Sequence, residues 1–88
     1  MLIPEYTNRF KKDYKRAIKR GYKISELDDI MQDLIDEKPL AEKHRDHALV
    51  GDYAGGRECH VKPDWLLVYY IFDNVITFDA TGSHSDLF

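Results

Sequence analysis

The chain has 88 residues, 43% hydrophobic and 33% charged, with a net charge of −3. That length fits a single domain over residues 1–88 with one core, and the composition argues against disorder. No apolar run nears the ~18 residues of a membrane span, the start lacks the basic and apolar parts of a signal peptide, and the single cysteine, Cys59, excludes an internal disulfide, so a cytoplasmic setting is expected.

In chain order, residues 2–6 predict a short strand, weakened by Pro4. Thr7 or Asn8 is placed to cap a helix running to about Arg20. Phe10, Tyr14, Ala17 and Ile18 stand at helical spacing in it, and Gly21 is its stop. Eight Lys or Arg residues and one acid, Asp13, lie between Arg9 and Lys23. This basic stripe, which includes Lys11, Lys12, Lys15 and Arg16, is either a solvated helix face or an electrostatic footprint for nucleic acid. A second helix is expected from Ser25, whose spacing to Asp28 is that of a capping box, and Pro39 ends it. Leu27, Ile30, Met31, Leu34 and Ile35 form one apolar stripe on it, while Glu26 to Glu37 contains no base. The two helices read as a hairpin across a sheet, one turning bases and the other acids to solvent.

Residues 41–56 read as a polar loop. Strands follow at about 56–61 and 65–72, with a bend at Pro63-Asp64. Asp73-Asn74 suits a tight hairpin into the strand VITFDA, then Thr81-Gly82 and the tail SHSDLF. The expected class is α+β: an N-terminal helical hairpin on one face of a mostly antiparallel sheet of four to five strands, the other face open. Strand alternation sends Glu58, His60 and Lys62 to one side and Arg57, Cys59 and Val61 to the other. Trp65, Leu67, Tyr69 and Ile71 are expected in the core, with Cys59 as a buried small apolar residue. Tyr53 and Tyr70 are candidate stacking surfaces.

Four histidines stand at positions 44, 47, 60 and 84, the last three in loops or on the open sheet face. Singly, each reads more simply as a surface residue. As metal ligands, His44, His47 and His60 would be joined by Asp64, but His-x-x-His in a loop lacks a recognised zinc spacing and Cys59 lies on the opposite strand face. As acid–base groups, imidazoles both take and give protons near neutrality. With a carboxylate they suit RNA cleavage: a base takes the ribose 2′-OH proton and an acid protonates the leaving 5′ oxygen. DNA lacks that hydroxyl, so such a set acts on RNA.

The stretch DHALVGDYAGGRECHVKPDWLLVYY together with TGSHSDLF resembles the YafQ-type toxins of the RelE superfamily, bacterial toxin–antitoxin endonucleases that cleave mRNA on the ribosome. The likeness runs the length of the chain. It rests on Asp-His-x-Leu-x-Gly, then Arg-acid-x-His-Val-x-Pro-Asp-Trp, then Thr-Gly-[Ser/Thr]-His and Leu-Phe. The resemblance implies a RelE-like fold and a ribosome-dependent mRNA endonuclease, working without metal or cofactor and held inactive by a cognate antitoxin. It implies that His47, His60, Asp64 and His84 form the cleavage site, with His84 as proton donor and Phe88 packing against the mRNA base. On that reading His60 faces the mRNA, Lys62 meets phosphate, and Lys11, Lys12, Lys15 and Arg16 grip ribosomal RNA. Arg57 braces the structure from behind.

Two positions depart from the family pattern. Glu58 stands where relatives often have Asp, and Ala80 where many carry an Arg, which removes a candidate transition-state cation. Lys62 or a first-helix base is the candidate substitute. Two rival readings are a non-enzymatic binding toxin of the same fold, like the ParE-type gyrase inhibitors, and a histidine-based metal-binding accessory domain. The histidine set and Phe88 weigh against the pure binder, which has no use for them.

Overall fold

The first strand, β1, is Ile3–Tyr6 in the computed structural model, which describes residues 1–88. β1 lies at a sheet edge and pairs in parallel with the last strand. At that edge the donor that Pro4 lacks would point away from the ladder, so the proline is tolerated. Thr7 caps helix α1, Asn8–Lys19, its hydroxyl accepting from the Phe10 N–H at 3.0 Å. Gly21, at φ +79°, takes the left-handed conformation that turns the chain out of the helix.

Helix α2, Ile24–Ile35, starts one residue before Ser25, and no side chain caps it. The expected capping box is absent because Ser25 lies inside the helix, with Lys23 at the N-cap; Asp28 instead accepts from the Tyr14 hydroxyl at 2.7 Å, tying α2 to α1. All five apolar residues of the predicted α2 stripe are buried. On α1, Phe10 and Ala17 are buried, but Ile18 is 51% exposed, contrary to expectation. The side chain that turns inward instead is Asp13, whose carboxylate accepts from the Thr81 N–H at 3.2 Å and lies 3.1 Å from Arg16 Nη2. These partners make burial of the charge tolerable and rotate the helix away from Ile18.

Strands β2 (His47–Ala48), β3 (Gly56–Lys62), β4 (Trp65–Phe72) and β5 (Val75–Gly82) complete a five-stranded sheet. Its order is β1-β5-β4-β3-β2, antiparallel except between β1 and β5. The α+β class, the helical hairpin and the mostly antiparallel sheet are therefore as expected. The main core lies between the helices and one sheet face, where Trp65, Leu67, Tyr69, Phe78 and Cys59 meet Leu27 and Phe10. Ile71, expected there, is 45% exposed. It pairs with Ile76 one step from the Asp73-Asn74 turn, at the sheet's end.

The opposite face is partly closed. Leu66, Val68 and Ala80 form a small second core under Leu87, with Leu49 and Tyr70 packed against it. Leu87 belongs to a one-turn helix, α3 (His84–Leu87), that the tail was not expected to form. Ser83 and Asp86 make a complete capping box there. The Ser-x-x-Asp spacing that fails at Ser25 thus succeeds here, where its acid folds back on its own turn. No helix is long and apolar enough to cross a membrane.

Candidate active site

Alternation along β3 places Glu58 and His60 on the face that carries α3, as the side-chain period of a strand requires. His47 joins them because β2 pairs His47 directly with Glu58. His84 arrives from across β4, at the first position of α3: Leu66 pairs with His60 on one side and with Gly82, where β5 ends, on the other. The three rings converge: the centroids of His47 and His60 are 6.3 Å apart, and those of His60 and His84 are 5.8 Å apart.

Two carboxylates hold this set. Glu58 Oε1 lies 3.6 Å from Nε2 of His47 and 3.6 Å from Nε2 of His60. Glu58 is 6% exposed, and these two rings are its only ion-pair neighbours. Asp64, from the β3–β4 turn, meets His84 twice: its Oδ1 accepts from the His84 backbone N–H at 2.9 Å and from Nδ1 at 2.6 Å. Those hydrogen bonds, the backbone one first, hold the Asp64 carboxyl below its ordinary range. The Nδ1 contacts also fix tautomers. Nδ1 of His47 meets the Arg45 carbonyl at 2.5 Å and Nδ1 of His60 meets the Pro63 carbonyl at 3.3 Å. A carbonyl only accepts, so Nδ1 carries the proton in both rings. In all three histidines Nε2 is left as the atom that exchanges a proton.

His44 does not join them. Its Nδ1 donates to the His60 carbonyl at 2.6 Å, and its ring lines a cavity on the helix side with Glu26, Asp29 and Asp33. The tetrad of His44, His47, His60 and Asp64 weighed for a metal is therefore not assembled.

Lys62 is a second correction. The β3–β4 register shifts between His60 and Lys62, leaving Lys62 opposite Trp65. The irregularity breaks the alternation and sends the amine to the helix side, where it pairs with Glu26 at 3.2 Å. Arg16 is also engaged within the chain, paired with Asp13 and with Asp86 while still half-exposed. Lys11, Lys12 and Lys15 are exposed along α1. Arg57 donates to Asp46 at 3.2 Å, and Asp46 accepts from the Tyr69 hydroxyl at 2.6 Å, so it braces the structure as expected.

Phe88 is 59% exposed and stands edge-on to Tyr53, with ring centroids 5.4 Å apart. Tyr70 is packed over Gly56, where a methyl group would come within 2.9 Å of its ring, and serves the fold. Ala80 is 1% exposed beneath Leu87. The first-helix base nearest to its recess is Arg9, which lines it together with Tyr53 and Phe88. Sequence reasoning placed Glu58 on the right face but gave it no part in the site. The signal was its position opposite His47, which becomes visible only with the strand pairing. Cys59, expected to be buried, is fully so, and burial pushes its thiol up to about 12.

Comparison with known proteins gives consistent results. The family model for the bacterial toxin of type II toxin–antitoxin systems, YafQ, matches residues 2–88. The mRNA interferase toxin YafQ of Escherichia coli K12 is 40% identical over 85 residues, covering 96% of this chain and 92% of the relative. Among solved structures, a copper-bound mutant toxin from Helicobacter pylori is 38% identical, with a TM-score of 0.95 and full coverage of both chains. The toxin in the Escherichia coli DinJ–YafQ complex is also 38% identical, at a TM-score of 0.93, covering 100% of this chain and 99% of that one.

Proposed function

This chain belongs to the YafQ family of type II toxin–antitoxin toxins, and we propose that it is an mRNA interferase whose cleavage site is the cluster of His47, Glu58, His60, Asp64 and His84. The observation that carries this reading is the convergence of three imidazoles, each with Nδ1 held by an acceptor and Nε2 left for proton exchange, beside two carboxylates. Such a set runs acid–base chemistry without further groups. His47 or His60 takes the proton from a ribose 2′-OH. The oxygen attacks the adjacent phosphorus, the bond to the 5′ oxygen breaks, and His84 donates the proton that the departing oxygen needs. The products are a 2′,3′-cyclic phosphate and a 5′-hydroxyl. Asp64 holds the His84 ring in the donating orientation, while Glu58 balances charge between the other two.

The mRNA is presented by the ribosome, which fixes it in reactive geometry and supplies positioning that so small a protein lacks. Lys11, Lys12 and Lys15 contact ribosomal RNA, and Phe88 packs on a base of the bound mRNA. In the cell the toxin acts in the cytoplasm and is held inactive by a cognate antitoxin, as the complex formed by the Escherichia coli relative supports.

The test is cleavage of a model mRNA on ribosomes, monitored at the scissile bond. A single 2′-deoxy nucleotide on its 5′ side should abolish cleavage, because the attacking oxygen is then missing. His84→Ala should slow cleavage of normal RNA by about 10²–10⁴-fold. It should be largely rescued by a 5′-bridging sulfur, which leaves without a proton. Cleavage of the deoxy substrate would overturn the mechanism, and equal slowing of His84→Ala on both leaving groups would remove His84 as the acid.

A further inference from the structure

α3 is a single turn, yet the segment around it carries both His84 and Phe88. So short a helix has no stability of its own, and its position depends on what holds it. Leu87 supplies the apolar contact, buried with Leu66, Val68 and Ala80. The polar contact comes from α1 and the residue that follows it. Arg20 grips Asp86 at two points, Nη1 to Oδ2 at 2.6 Å and Nη2 to Oδ1 at 3.1 Å. Arg16 Nη2 stands 3.7 Å from the same Oδ2. Asp86 also accepts from the Ser83 N–H at 2.9 Å, closing the turn that leads into His84. The packing there is tight: a methyl group on Gly82 would lie 2.8 Å from Asp86 Oδ2 and 3.1 Å from Arg16 Nη2.

We propose that Arg20 is a positioning residue for cleavage: by clamping Asp86 it fixes the Gly82–Ser83 turn, and so sets where His84 and Phe88 stand. The inference rests on the ribonuclease reading above. Two-point pairing of a planar guanidinium fixes the direction as well as the distance of a carboxylate, which a lysine ammonium does not. Both partners keep access to water, with side-chain exposures of 39% and 15%, so the pair contributes little to global stability. Its effect is on geometry, where a shift of about 1 Å at a reacting group costs on the order of 10²-fold in rate. Arg20 belongs to the same basic stripe as the lysines proposed to grip RNA, so direct RNA contact is the alternative. The two roles change different quantities.

The experiment compares wild type, Arg20→Met, Arg20→Lys, Asp86→Asn and the Arg20→Met/Asp86→Asn double variant on mRNA-programmed ribosomes. Asparagine keeps a side-chain oxygen for the Ser83 turn while removing the charge. Each of Arg20→Met and Asp86→Asn should lower the rate at saturating ribosomes by about ten- to a hundredfold. The half-saturating concentration and the Tm should stay essentially unchanged. Arg20→Lys should recover only part of the rate. Because both residues act through one contact, the double variant should be no slower than the slower single one. In the free protein, hydrogen exchange at the His84 amide, which Asp64 protects, should accelerate in Arg20→Met. An unchanged rate at saturation with a raised half-saturating concentration would make Arg20 an RNA contact and overturn the clamp. Multiplying effects in the double variant, or unchanged His84 exchange, would overturn it too. Wild type that leaves the mRNA intact would sink the ribonuclease reading instead, with the exchange measurement still deciding the clamp.

Discussion

Glu58 shows how a single residue joins stability to chemistry. A buried carboxylate whose only ion-pair neighbours are two imidazole nitrogens, both at 3.6 Å, is costly to keep in a fold. Its retention fits a site that needs a fixed negative charge between two proton-exchanging rings. Glu58→Gln keeps the shape and removes the charge, so it should raise or maintain the Tm while slowing cleavage at least tenfold, on the order expected when acid–base groups are mispaired. Parallel thermal melts and cleavage rates check this, and a fall in both together would make Glu58 a structural residue. Phe88 gives the converse case. It is 59% exposed and touches Tyr53 only edge-on, so Phe88→Ala should barely move the Tm. Base stacking contributes about 1–3 kcal/mol, so cleavage should fall by roughly one to two decades.

At the scale of elements, α3 is docked by ionised groups, and its pH response follows from their shifts. Arg20 first, then the Ser83 N–H, hold the Asp86 carboxyl far below its ordinary range, and the His84 N–H and ring hold Asp64 down likewise. A carboxyl that is a stronger acid when folded leaves the folded state with fewer bound protons than the unfolded chain. Its contribution is therefore fully present above the unfolded value of about 3.9 and is lost as pH falls through the lower folded value. The α3 segment should stay docked at about pH 5 and detach only below about pH 4. NMR signals of the His84 amide and the Phe88 ring, followed from neutral to strongly acid solution, measure this. Loss of the docked signals above the ordinary carboxylate range would show that other groups hold the helix.

Across the whole molecule, charge is divided by role rather than by sequence position. Within one basic stripe, Arg16 and Arg20 turn to Asp13 and Asp86, while Lys11, Lys12 and Lys15 stay exposed. If the lysines meet ribosomal RNA, replacing all three by Ala should raise the half-saturating ribosome concentration. It should also flatten the salt dependence by about 0.7–0.9 in log–log slope per lost phosphate contact, leaving the rate at saturation unchanged. Titration at several salt concentrations separates this from the rate effect expected of Arg20. An unaltered slope would return these lysines to the role of a solvated face.

The local pattern of the chain determined most of the architecture. The α2 stripe, the Thr7 cap, the Gly21 stop and the β4–β5 hairpin follow from periodicity and turn chemistry, which act over a few residues. Cys59, Trp65, Leu67 and Tyr69 fell in the core because strand alternation fixes a face once the strand is recognised. What alternation could not show was its own interruption: the irregularity after His60 turned Lys62 to Glu26. The Ser-x-x-Asp spacing could not tell a cap at Ser83 from none at Ser25, because it does not fix where the helix starts: Ser83 is an N-cap, whereas Ser25 falls inside α2. The candidate site divides in the same way. The family motif identified His47, His60, Asp64 and His84, but their meeting depends on β2 pairing with β3 and on α3 folding back over the sheet. Glu58 bridges to His47, 11 residues away in sequence, as well as to His60 on its own strand, and Arg20 acts through Asp86, 66 residues away. Such long-range partners are set by strand register and helix docking, which no local stretch of sequence encodes.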